Sequence, residues 1–157
     1  MNRENLTTYL KDHYAGSFAA VELIDRLITA TKDTHHCPFF LKLKSDVQAD
    51  QEVLRTLFDH LGSEDSSVRN AAAWIVEKMA QVKLKFDGPI EAAMGRLQAL
   101  EALLLGITGK RALWLALKAG MEPVMEIDFH RLIQNAENQL RAVEEKRVEA
   151  ARDAFSF

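Results

Sequence analysis

Apolar side chains recur along this chain in alternating steps of four and three residues, the spacing that puts them on one side of a helix. One stripe runs Leu10, Tyr14, Ser17, Val21, Ile24 and Ile28, and a second runs Leu43, Val47, Asp50, Leu54, Leu57 and Leu61. A third, Val68, Ala72, Ile75, Val76 and Met79, follows a run of capping residues at positions 63–67. The stretch LQALEALLLGITGKRALWLAL is apolar on nearly every side, which marks a central or covered helix; the preceding crossover helix is its expected cover. The last stripe turns Phe129, Leu132, Ile133, Ala136, Leu140 and Val143 inward, with Gln139 at its flank. These patterns predict an all-α fold, one domain over 1–157, with helices over 5–30, 38–61, 67–84, 90–119 and 129–154.

The boundary residues agree with that division. Pro38 suits a first helical turn, Gly62 a helix stop, and Asp128 an N-cap; Asp87-Gly88-Pro89 reads as a turn. Seven Gly and three Pro in 157 residues favour long helices over many short strands. A net charge of -3 with both signs mixed gives no electrostatic footprint for nucleic acid or an anionic membrane. The single cysteine, Cys37, excludes an intrachain disulfide framework and suits a reducing compartment. The first 30 residues are charged throughout and read as neither signal peptide nor anchor, and no apolar run approaches the roughly 18 residues of a membrane span. The expectation is a cytoplasmic protein with no nucleic-acid or membrane partner.

One member of the second stripe is wrong for a core. Asp50 is a carboxylate on a buried seam, and burying it alone costs several kcal/mol, so it needs a partner, a proton or a metal. Asp46, four residues earlier, shares its face. Glu101, Lys110 and Arg111 lie inside the apolar run of the fourth predicted helix, and any of them is a candidate partner for Asp50. Ser17 is the small polar member of the first stripe and reads as a point of close helix approach.

Other chemistry-bearing residues carry less. His35, His36 and Cys37 are good soft ligands, but adjacent side chains diverge and the i, i+3 or i, i+4 ligand spacing is absent, which leaves a surface turn. His130 follows Glu126 by four residues at a helix start, a surface position, and His60 takes no role beyond the helix dipole. GITGK lies within a helix rather than between strand and helix, so it is no phosphate loop. Cys37 lacks a base constellation for a thiol nucleophile.

Four long helices with a long connection between the second and third resemble the ferritin-like bundle. The segment YLKDHYAGSFAAVELIDRL resembles the first helix of such proteins and DQEVLRTLFDHLG their second; GITGKRALWLAL echoes YAGSFAAVELI, as that fold's two similar hairpins imply. DHYAGSFAAVELI, GITGKRALW and AENQ look similar to uncharacterised bacterial members of the class. Di-iron members supply a Glu from two helices and Glu-x-x-His from the other two. Those positions carry Ser17, Val47, Asp50, Gly109, Ala136 and Gln139 here, a set that lacks the roughly six ligands a di-iron site needs.

The polar set on the inferred bundle interior is then His13, Ser17, Asp46, Asp50, Arg111 and Gln139. It reads in three ways: a polar network that fixes helix register, a pocket for a small molecule between helices, or an altered metal site. The first gives a non-catalytic bundle acting by interaction or self-association, with no catalytic residue, metal ligand or cofactor assigned. The third gives a redox or stress protein holding iron or manganese near Asp46, Asp50, Glu101 and His13. The resemblance further implies a homodimer, with Phe39, Phe40 and Trp114 as exposed candidates for the pairing face.

Overall fold

The structure, a computed structural model, describes residues 3–62, 89–121 and 126–156, together with Asn70, Ala73 and Glu77. The described residues are all-α. Their helices are α1 (Arg3–Thr31), α2 (Cys37–Leu61), α3 (Pro89–Met121) and α4 (Phe129–Phe155). Each helix end lies within two residues of the position that the apolar periodicity predicts. The crossover helix expected over 67–84 lies outside the described residues, except for those three positions, which are helical and exposed.

The chain falls into two compact units, Met1–Lys83 and Leu84–Phe157, each built on one helical hairpin. In the first, Tyr14 meets Phe58 edge to face at 5.6 Å, Ser17 bonds Gln51, and Asp25 pairs with Lys44 at 2.6 Å. As the position in α1 climbs, its partner in α2 falls, so the two helices are antiparallel. Leu10, Leu23, Ile24 and Leu27 are buried from α1, and Phe40, Leu43, Val47, Leu54 and Leu57 from α2. Burying a side chain of this size stabilises by about 1.5–3 kcal/mol.

The turn between α1 and α2 closes through its own groups. The Thr34 amide donates to the Thr31 carbonyl at 2.9 Å, the Thr34 hydroxyl donates to that same oxygen at 2.8 Å, and the His36 amide donates back to Thr34 Oγ1 at 3.2 Å. Pro38 occupies the first turn of α2, where a missing N–H costs nothing. At the other end the helix stops on Gly62, whose φ of 61° lies in the left-handed region and whose amide bonds the Asp59 and Phe58 carbonyls.

In the second unit Arg96 pairs with Asp153, Arg147 lies 3.8 Å from Glu101, Lys110 bonds Gln139, and Arg111 pairs with Glu137 at 2.8 Å. Partner numbers fall from 153 to 137 as the α3 position rises from 96 to 111, so this hairpin is antiparallel too. Asp128 caps α4 by accepting from the Arg131 amide at 2.9 Å.

The two hairpins repeat one pattern. Phe40, Leu43, Val47, Asp50 and Leu54 in α2 have the same spacing as Phe129, Leu132, Ala136, Gln139 and Val143 in α4, and all ten are buried. Leu10, Tyr14, Ser17, Val21 and Ile24 in α1 have the spacing of Leu103, Ile107, Lys110, Trp114 and Leu117 in α3.

One expectation changes. Phe40 and Trp114 are fully buried and Phe39 is half-buried, so none of the three is an exposed pairing residue. The reason is register: Phe40 lies one step ahead of Leu43 on its seam, and Trp114 lies between Lys110 and Leu117 on its own. No helix among the described residues is long and apolar enough to cross a membrane.

Candidate functional site

In the first unit the polar positions gather on the middle of the hairpin. Asp50 is 7% exposed on the seam of α2. One residue on, Gln51 donates from Nε2 to Ser17 Oγ at 2.9 Å, and the Ser17 hydroxyl donates to the Tyr14 carbonyl at 2.5 Å. Ser17 is therefore a filled hydrogen-bonding position joining α1 to α2 as well as a place of close approach. Asp46 is drawn outward by Lys42 at 2.6 Å, an i, i+4 pair whose lysine is well exposed. His13 lies half-buried one turn from Ser17, its ring edge to face with Tyr9 at 4.7 Å. Burial pushes the imidazole below its usual value, more strongly than neighbouring Asp12 raises it.

In the second unit the position corresponding to Ser17 is a lysine, Lys110, and the one corresponding to Asp50 is an amide, Gln139. Gln139 is 8% exposed and accepts at Oε1 from the Lys110 ammonium. Arg111, next along, donates to Glu137 at 2.9 Å on the half-buried side of the hairpin. Glu101 is exposed and lies near Arg147, which is itself held by Glu144 at 2.7 Å. Trp114, four residues beyond Lys110, is wholly buried and its indole N–H has no acceptor among the described residues, a deficit of about 1–3 kcal/mol.

Each hairpin thus carries one polar rung in an apolar seam: Ser17 with Gln51, and Lys110 with Gln139. Gly109 is the α3 position that the resemblance would assign to a ligand, but the side chain that reaches across to α4 beside it belongs to Lys110. A protonated lysine offers three donors and no lone pair, so it repels a metal ion instead of ligating it.

Of the six sequence candidates, Ser17 and Asp50 lie at one level of the first hairpin, Gln139 and Arg111 at one level of the second, and Asp46 faces a surface lysine. Two members of the rungs were not in that set. Gln51 lies four residues after Val47 and three before Leu54, at the flank of the α2 stripe, and Lys110 lies between Ile107 and Trp114 on the α3 stripe, so the spacing places both beside a seam without naming their partners. The rings of His35 and His36 lie 3.9 Å apart in the α1–α2 turn, with His36 buried and Cys37 half-buried.

Comparison of the chain with protein-family models, curated proteins and solved structures finds no match.

Proposed function

We propose that this chain is a ferritin-like helical bundle without a working metal centre, and that it acts by association with other protein surfaces, its own included. The observation that carries the reading is Lys110. It occupies the seam position in α3 that Ser17 occupies in α1, and it hydrogen-bonds Gln139, which has the spacing of Asp50. On this reading each hairpin keeps a polar layer in its own seam, at Asp50 with the Ser17–Gln51 bond in the first and at Lys110 with Gln139 in the second. Such a layer fixes which helix faces meet and performs no chemistry.

A double-mutant cycle within the second hairpin tests the layer. Lys110→Met leaves the buried Gln139 amide without its donor and should lower unfolding stability by about 1–3 kcal/mol in urea titrations. Gln139→Leu should cost a similar amount, and the double variant should recover part of both losses, a coupling of about 0.5–3 kcal/mol. Additive losses would show that the two side chains do not act together and remove the polar-layer reading. Elemental analysis of protein purified without chelator tests the other half: stoichiometric iron, manganese or zinc would overturn the metal-free assignment.

A further inference from the structure

The turn between α1 and α2 brings together two side chains that adjacent positions ordinarily hold apart. His35 and His36 set their rings with centroids 3.9 Å apart and planes tilted by 39°. A nitrogen of one ring lies within 4.8 Å of a nitrogen of the other. Two imidazoles on one metal ion, with bonds of about 2.0 Å, stand about 3.3 Å apart at a tetrahedral ion and about 4 Å apart at a linear one. The pair is within a small side-chain rotation of either distance, and an exposed ring such as His35 makes such rotations readily.

The backbone of this turn is closed by other groups. Thr34 bonds the Thr31 carbonyl through its amide and its hydroxyl, and its oxygen accepts from the His36 amide. His36 is the N-cap of α2, a position that favours Ser, Thr, Asp or Asn, and its ring makes no capping hydrogen bond. Those bonds hold the chain from Thr31 to His36, so both imidazoles project from a set frame. With His36 buried and His35 exposed, the turn offers an ion one fixed ligand and one that closes over it from solvent.

The donor set selects the ion. Each neutral imidazole gives one lone pair. Zinc takes four ligands, or three and a water, whereas this turn supplies two nitrogens. Copper(I), a soft closed-shell ion, is satisfied by two nitrogens in line, and the next residue, Cys37, carries the soft thiol that such an ion also accepts.

We infer that His35 and His36 form a binding site for one copper(I) ion at the α1–α2 turn. The ion is bound without change of oxidation state, and the two ring nitrogens carry the site; Cys37 lies half-buried beside them at the start of α2. The site stands apart from the bundle reading, which concerns iron, manganese or zinc in the helix seams.

Anaerobic titration of the full chain with copper(I), in competition with a chromophoric copper(I) chelator, reads the site directly. The wild-type chain should bind one equivalent. His35→Gln should weaken binding about tenfold or more, and as a change at an exposed position it should leave the helical circular dichroism and the melting temperature unchanged. His36→Gln should weaken binding to a similar extent, whereas His60→Gln and His130→Gln, at exposed histidines elsewhere, should not alter it. Cys37→Ser separates the donors: a change of less than about threefold fits the nitrogen pair, and a loss of about tenfold or more would make the thiol the ligand and overturn it. Full binding by His35→Gln, or a wild-type chain that takes up no copper(I) at about 100 µM, would also overturn the site. Neither result bears on the cycle at Lys110 and Gln139, which decides the polar layer separately.

Discussion

At the scale of single residues, the positions with the least freedom are those whose backbone or burial admits no substitute. Gly62 ends α2 at a φ of 61°, and a side chain there would meet no neighbour within 4 Å, so the demand is conformational alone. Gly62→Ala should cost about 1–2 kcal/mol of unfolding free energy, and Gly62→Asn less, because asparagine tolerates the left-handed region. His13 gives a pH test with a defined sign. Burial holds its folded pKa below the usual value of about 6.5, so the neutral ring is the stable form in the folded chain. Its contribution is complete above about pH 6.5 and is lost as the pH falls through the depressed folded value. Urea midpoints at about pH 7 and about pH 5.5 should therefore fall more steeply for the wild-type chain than for His13→Gln, in which position 13 no longer titrates. Equal slopes would show that His13 does not feel its burial.

At the scale of elements, the helices were legible in the sequence because their ends are marked by chemistry that acts locally. Pro38, Gly62 and Asp128 each do in the structure what their residue type requires. The seams were legible for a similar reason: four-three spacing is a property of one helix, and it placed Leu54, Leu57, Leu132 and Val143 in the buried set. Partner choice was less legible. Nothing in the spacing distinguishes Gln51 from other polar residues beside a stripe, and a lysine inside LLLGITGKRALW reads as an interruption until α4 places Gln139 opposite it. Phe40 and Trp114 were read as surface because aromatic residues near an end or inside a long apolar run lack an evident side. Their buried faces follow only once the register of the neighbouring helix is known.

The ion pairs across the second hairpin are a matter for the same scale. Arg111 and Glu137 are both partly exposed, 40% and 44% by side chain, so solvent screens their attraction. Arg111→Met should cost less than about 1 kcal/mol, and the loss should shrink further in molar salt. A loss of several kcal/mol from Arg111→Met would mean that the guanidinium serves a more buried group than Glu137.

At the scale of the whole molecule, composition bounded the class and little else. A net charge of -3 with both signs mixed is ordinary for a globular chain, and the described helices include none long and apolar enough to span a membrane. What composition could not convey is that the same buried spacing occurs twice, with an acid at one seam position and an amide at its counterpart. The lysine that bonds that amide carries the proposed metal-free reading. The resemblance by itself supplies a set of ligand positions; the side chains at those positions determine whether a cation is welcome.

The self-closed turn between α1 and α2 has a consequence in time. Its hydrogen bonds link residues no more than four apart, and the first hairpin's cross-links then join positions 19 and 34 apart, so each closure follows from a shorter one already made. All of these closures lie within residues 3–62. On a translating ribosome the groups that make them are present before α3 is complete, which shortens the interval during which the leucine seams of α1 and α2 stand open to other chains.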